Sequence, residues 1–313
     1  MPANYWPWIG FNVFVLIMLA LDLGVFNRKS HVISVKESIS WTLVWIALAL
    51  TFNLGIGHFM GNDKALEFLT GYVIEKSLSI DNIFVIALLF SYFSVPPRYQ
   101  HKVLFWGILG ALVMRASMIA VGAKLIAEFA WIIYVFGAFL IFSGIKMLRS
   151  VDDKPNLEEN RIVKFVRSRF RMTETYHGEK FFVTKDGVRY ITPLFLVLIL
   201  IEITDLVFAV DSIPAIFAVT TDPFIVWTSN VFAILGLRAL YFALASIIDR
   251  FHYLKYGLSL VLVVVGTKML LVDIYKIPTA VALGITVSLI GGSMVLSLVK
   301  TAGKPPKPLP GEG

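Results

Sequence analysis

Nine stretches of this 313-residue chain are apolar for long enough to cross a bilayer, which excludes an ordinary soluble domain. A hydrocarbon core of about 30 Å takes roughly 20 apolar residues per helical crossing. The runs are Trp8–Phe26, Ile39–Ile56, Leu69–Ser94, Val103–Ala123, Phe129–Leu148, Pro193–Val219, Phe224–Ile248, Tyr256–Val272 and Pro278–Val299. They predict an all-α, polytopic transmembrane bundle. Pro193 and Pro278 stand where a helix accepts proline, in its first turn. Met1 to Trp8 carries no basic side chain, so the first run reads as a retained helix rather than a cleaved signal.

The connections alternate in basic charge. Those after the odd-numbered spans hold 20 Lys or Arg, those after the even-numbered spans 3, namely Lys64, Lys124 and Lys276. Basic loops stay in the cytoplasm, so the split predicts an N-terminus outside a bacterial inner membrane and a C-terminus inside. The formal charge of +7 therefore speaks of topology and anionic headgroups, not of nucleic acid. The chain divides into an N-terminal transmembrane half (1–148), a long connection (149–192), a C-terminal half (193–299) and a Pro/Gly-rich tail (300–313) expected to be disordered. In the connection, Ile162, Val163, Val166 and Phe170 form an apolar helical stripe among arginines and lysines, as in a helix lying on the inner leaflet. Two β-prone runs flanking Lys185-Asp186-Gly187 signal a hairpin.

Two segments echo each other. Glu75-Lys-Ser-Leu-Ser-Ile-Asp81-Asn82 matches Asp205-Leu-Val-Phe-Ala-Val-Asp211-Ser212, and Gly144-Ile-Lys146-Met-Leu matches Gly266-Thr-Lys268-Met-Leu. Each copy spans three helices (69–148 and 193–272), and because three is odd the second enters from the opposite face. Inverted repeats of this kind typify secondary transporters, with the substrate near the midplane where the copies meet.

Six carboxylates fall inside the spans: Asp22, Glu75, Asp81, Glu202, Asp205 and Asp211. Each costs about 2.5–3.5 kcal/mol on insertion scales, so they are expected to face a cavity, a cation or one another. Asp22, near a span end, reads as structural. Lys76, Arg115 and Arg238 are the basic residues in the same slab, and the two arginines read first as counter-ions, second as ligand or proton-path residues. Helical geometry puts Glu75, Ser79 and Asn82 on one face of span three and Asp81 on another. In span six it aligns Glu202, Asp205 and Ser212, with Thr204 and Asp211 on a second stripe. Pro214 is expected to bend span six beside Asp211 and free the Val210 carbonyl. The repeat-related pair Asp81 and Asp211 is expected to meet at one ion site, completed or followed in series by Glu75, Glu202 and Asp205. With no cysteine in the chain and all five histidines at span ends or in loops, the donors are oxygens, which suit Mn²⁺, Mg²⁺ or Ca²⁺. Lys146 and Lys268 need do no more than snorkel.

Glu75–Asn82 and Glu202-Ile-Thr-Asp-Leu-Val-Phe-Ala-Val-Asp-Ser-Ile-Pro-Ala resemble the two signature segments of the TerC family of bacterial integral membrane proteins. Ser229-Asn-Val-Phe-Ala-Ile-Leu-Gly-Leu-Arg-Ala-Leu-Tyr-Phe and Leu21-Asp-Leu-Gly-Val-Phe fit too, and the likeness runs from about Ala20 to Ala280, on the side of the Alx branch. The resemblance implies a manganese exporter with Glu75, Asp81, Glu202, Asp205 and Asp211 as its acidic path, Mn²⁺ being cargo rather than a resident cofactor. The alternative is a membrane component of a stress or tellurite-resistance complex, or a redox modulator, without transport of its own. No enzymatic activity is expected: the Gly-x-Gly-Asp motif of intramembrane aspartyl proteases is absent around Asp81, Asp205 and Asp211. Expected partners are the cation and the bilayer; a homo-oligomer is compatible with the sequence but not indicated by it. Exchange with protons is the expected driving force, since clustered carboxylates bind protons when a metal leaves.

Overall fold

The computed structural model describes residues 5–21, 35–149, 164–165, 168–185, 187–244, 253–275 and 277–301. Among the described residues, helices lie in the expected apolar runs: α1 (Trp6–Leu21), α2 (Val35–Met60), α3 (Asn62–Tyr92), α4 (Pro97–Glu128) and α5 (Ile132–Arg149), then α6 (Pro193–Phe217), α7 (Pro223–Leu235), α8 (Leu237–Leu244), α9 (Leu254–Leu270) and α10 (Thr279–Thr301). Among the described residues α2, α4, α5, α6, α10 and the α7–α8 pair are long and apolar enough to cross a membrane. α3, at 31 residues, carries Asp63, Lys64, Glu67, Glu75, Lys76 and Asp81 along its length. Asp22, the tail, and Ile162, Val163 and Val166 of the amphipathic stripe lie outside the described residues. Helix α6 continues through Pro214 to Phe217.

The seventh span is not one helix. It divides at Gly236, and the reason is Lys76. The Lys76 ammonium donates to the Ala233 carbonyl at 3.2 Å, the acceptor an unbroken helix would pair with the N–H of Leu237. A Cβ on Gly236 would stand 2.7 Å from that ammonium, so a larger residue there would push the lysine aside. The cation also sits where the carbonyl end of α7 favours positive charge.

Helix α7 forms the middle of the bundle, with every residue from Ile225 to Leu235 buried. Phe232 packs with Phe11, Phe52 and Phe68 at centroid distances of 5.0–6.0 Å, joining α1, α2 and α3 to it. The most extensive helix contacts are α5 with α9, α3 with α7, α4 with α6, and α3 with α6. α5 and α9 run antiparallel at backbone contact. A Cβ on Gly266 would meet the Gly137 carbonyl at 2.6 Å, and one on Gly144 the Ser259 carbonyl at 2.7 Å. Gly144 and Gly266, the glycines matched in the repeat, thus make matching contacts on each other's helix.

Backbone cannot yield as a flexible side chain can, so Gly266→Val should cost about 1–3 kcal/mol and lower the melting temperature in detergent. Gly284→Ala, where nothing lies within 4 Å, should leave it unchanged or slightly raised. Equal melting temperatures for the two variants would contradict this packing.

The expected hairpin is present. β1 (Phe182–Lys185) pairs antiparallel with β2 (Val188–Ile191), with Lys185 opposite Val188 and Gly187 at φ 74 in the turn. It is tied down by Ile191 N–H to Arg171 O (2.9 Å) and Thr173 N–H to Ile191 O (3.0 Å). The Tyr176 hydroxyl donates to the Phe93 carbonyl just past α3 at 2.7 Å. Burial pushes that phenol up to about 12, so it remains a donor throughout the physiological range.

Candidate functional site

Arg115 is the hub of the bundle. Its side chain is 1% exposed and reaches from α4 to three other helices. Its guanidinium grips Asp205 of α6 with two hydrogen bonds, Nη2 to Oδ1 at 2.8 Å and Nε to Oδ2 at 3.2 Å. Nη1 pairs with Glu75 of α3 and also lies 3.1 Å from Asn230 Oδ1 of α7 and 3.4 Å from Ser212 Oγ. Asn230 Nδ2 donates to the other Glu75 oxygen at 3.3 Å, and Asn82 Nδ2 to Asp205 Oδ1 at 3.2 Å. Glu75 and Asp205 are the first acids of the two matched segments, so one guanidinium holds the same position of both copies. Two carboxylates against one cation leave this buried cluster with a negative excess.

Beside Asp205 lies a cavity of about 20 Å³, lined by Asn82, Thr204 and Asp205 and by apolar groups including Ile86, Leu104 and Leu237. That is room for one water or one small ion. The lining is chiefly apolar, and Asn82, Thr204 and Asp205 are the residues in it with side-chain oxygens. Asn82 Oδ1 is buried with no hydrogen-bond partner, and Thr204 Oγ1 spends its proton on the Leu200 carbonyl at 2.7 Å, leaving lone pairs free. Glu202 lies one turn before Asp205 with its Oε2 buried and unpartnered, its carboxylate filling the space beside Gly110 that any Cβ would take.

The remaining predicted residues fall elsewhere. Among the described residues no three His, Cys, Asp or Glu side chains are grouped to hold one metal ion. Asp211 accepts from Ser143 Oγ of α5 at 2.7 Å, with Lys146 as the nearby charge. Asp81 is buried, and the charge acting on it is Lys255 of α9. Ser79 bonds back to the Glu75 carbonyl at 2.8 Å. Arg238 meets His101 Nε2 at 2.9 Å and is not among the groups bonded to Glu75 or Asp205, so of the two arginines Arg115 is the one seen to neutralise those acids.

Away from the site, Lys64 closes one end of the bundle. It lies 2.7 Å from Glu67 and 3.5 Å from Asp222, while Thr220 Oγ1 donates to Glu67 at 2.5 Å. Partial burial pulls the Lys64 ammonium down, but the two carboxylates outweigh it and its pKa is raised. The latch joins the start of α3 to the α6–α7 turn.

Comparison with known proteins agrees with the architecture. The chain matches the integral membrane protein TerC family over residues 60–304. A Myxococcus xanthus protein, "Uncharacterized membrane protein STKORF319", is 51% identical over 298 residues, covering 95% of this chain and 93% of its own. An Escherichia coli K12 protein, "Putative membrane-bound redox modulator Alx", is 52% identical over 299 residues, covering 93% of each chain. A Rickettsia bellii membrane protein is 43% identical over 293 residues, covering 94% of this chain and 97% of its own. No solved structure matches. With a family match across most of the chain and relatives aligned nearly end to end, the chain belongs to the TerC family of integral membrane proteins.

Proposed function

We propose that this protein is a secondary transporter that exports a divalent metal cation, Mn²⁺ foremost, across the bacterial inner membrane in exchange for protons. The observation that carries the reading is the small cavity beside Asp205, a mostly apolar space with Asn82, Thr204 and Asp205 in its lining and with the Asn82 amide oxygen buried and unpartnered. An orphaned buried acceptor has a cost that a cation would relieve. The donor set is hard, as Mn²⁺, Mg²⁺ and Ca²⁺ prefer. In this reading Arg115 is the stand-in for the cargo, neutralising Glu75 and Asp205 until a dication takes over part of that role. Glu202, with a free oxygen one turn away, accepts the ion next or carries the returning proton.

The inverted repeat supports the same reading. Exchanging α3 with α6, α4 with α7 and α5 with α9 turns the α3–α7 contact into the α6–α4 contact and maps the α5–α9 pair onto itself. The cavity lies on the α4–α6 side, with Gly107 and Ile201 in its lining. Its lining continues to Ile86 and Leu104, toward the end of the bundle that carries Arg98 and Lys102. On the reading of the charge asymmetry that end is the cytoplasmic one, and the Lys64 latch lies at the opposite end.

The relatives' printed name offers redox modulation as the second reading. A chain without cysteine has no thiol route to it.

The deciding measurement uses the purified protein alone in liposomes with a trapped metal-sensitive dye. Mn²⁺ should enter only protein-bearing vesicles, with an opposite movement of protons reported by a second dye. Vesicles no more permeable to Mn²⁺ than protein-free ones, at any imposed pH gradient, would overturn the proposal.

A further inference from the structure

The described cations at the two ends of the bundle are held differently. At the end with the Lys64 latch they are ion-paired: Lys64 with Glu67 and Asp222, and Lys124 with Glu128 at 3.8 Å. At the other end five of them are propped on aromatic rings. Arg98 Cζ lies 4.7 Å from the Tyr99 ring centre, Lys102 Nζ 5.4 Å from Phe181 and Arg189 Cζ 4.3 Å from Phe182. Lys255 and Lys300 sit likewise over Phe84 and Tyr253, at 4.8 and 5.0 Å. Among the described residues none of these five has a carboxylate within ion-pair distance, although Glu174 and Glu179 belong to the same hairpin cap.

Three of them form one patch. Arg98 and Lys102 are one helical turn apart at the start of α4, and Phe181 and Phe182 both pack on Phe195 at the start of α6, at 6.2 and 4.5 Å. The rings fix the cations between the hairpin and the two helix starts, where a membrane-spanning bundle meets headgroups. A ring attracts a cation without cancelling its charge, so the patch keeps its positive field. We propose that Arg98, Lys102 and Arg189 form a recognition site for the phosphate of an anionic phospholipid, seating the 171–192 cap on the leaflet. A planar guanidinium suits a phosphate with two parallel hydrogen bonds, and the patch holds two. The lipid, rather than a soluble phosphate, is favoured by place: the patch lies at the starts of two bilayer-long helices.

Native mass spectrometry of the whole protein in neutral detergent tests this, with short-chain phosphatidylglycerol and phosphatidylcholine of equal chain length. The unmodified protein should prefer phosphatidylglycerol at least tenfold, since each of the three basic groups is worth up to about fivefold near an anionic headgroup. The triple variant Arg98→Gln, Lys102→Gln, Arg189→Gln should lose most of that preference, and Lys124→Gln should keep all of it. Should the triple variant not fold, Phe182→Leu removes the prop under Arg189 along with the ring contact to Phe195, keeps all three cations, and should still reduce the preference. Equal binding of both lipids by the unmodified protein overturns the site, as does an undiminished preference in the variants. Displacement of the lipid by inorganic phosphate or glycerol phosphate at similar concentration would make it a soluble-phosphate site instead.

Discussion

Arg115→Leu should remove about 3–5 kcal/mol of stability, the usual cost of breaking one side of a buried charge pair. Here it strips the counter-charge from two acids at once, Glu75 at 1% exposure and Asp205 at 10%. Neither has water to fall back on, and the Asn230 and Asn82 amides supply dipoles, not charge. Arg115→Lys should be intermediate, since an ammonium cannot reproduce the two-pronged grip on Asp205. The check is the melting temperature in detergent with a chelator, repeated with added Mn²⁺. A ligand that binds only the folded state stabilises it by mass action, so Mn²⁺ should restore part of the loss in Arg115→Leu. An unchanged melting temperature would remove Arg115 from the centre of the bundle's electrostatics. A large loss that Mn²⁺ does not repair would separate the structural role from any metal site.

Asp205→Asn should abolish Mn²⁺ flux while the protein still inserts and folds. The substitution keeps the size and one oxygen but deletes the only formal charge lining the cavity. Arg115 retains Glu75 as partner, so stability should fall less than in Arg115→Leu. Asp81 and Asp211 give the informative contrast. If they are stages of the path rather than ligands at the cavity, Asp81→Asn and Asp211→Asn should slow flux but leave Mn²⁺ binding, measured calorimetrically, near that of the unmodified protein. Normal flux in Asp205→Asn would exclude the cavity from transport. Loss of Mn²⁺ binding in Asp211→Asn would mean that Asp211 joins the cavity in another conformation.

The helical bundle was legible because apolar run length and loop charge are local properties, set by the thickness of the bilayer and its polarity. The hub was half legible. A lone arginine in an apolar run needs an acid, and the two matched segments offered one each. Its partner Asn230 stood in a motif already noted, but an amide in an apolar helix does not say which way it faces. Gly110 gave no signal, because the space it leaves matters only once Glu202 is placed against it. Asp81 stands six residues beyond Glu75, about 9 Å along the helix axis and on another face, so spacing alone does not say whether it reaches the acids around Arg115. Nor could sequence foresee the divided seventh span, since Gly236 is ordinary in a membrane helix until Lys76 reaches it from α3.

A guanidinium does not give up its proton in a protein. Whatever the pH, the centre of this bundle therefore holds a positive charge that is tethered to α4 and cannot diffuse away. For a transporter in an energised membrane this bears on leakage. Without the guanidinium, sodium or potassium entering the cavity would meet two uncompensated carboxylates; with it, the net attraction is that of one negative charge. A doubly charged ion gains twice as much from that charge as a monovalent one. If the protein is the transporter proposed, Arg115 thus weakens the hold of the site on the abundant monovalent ions and helps to protect the membrane potential.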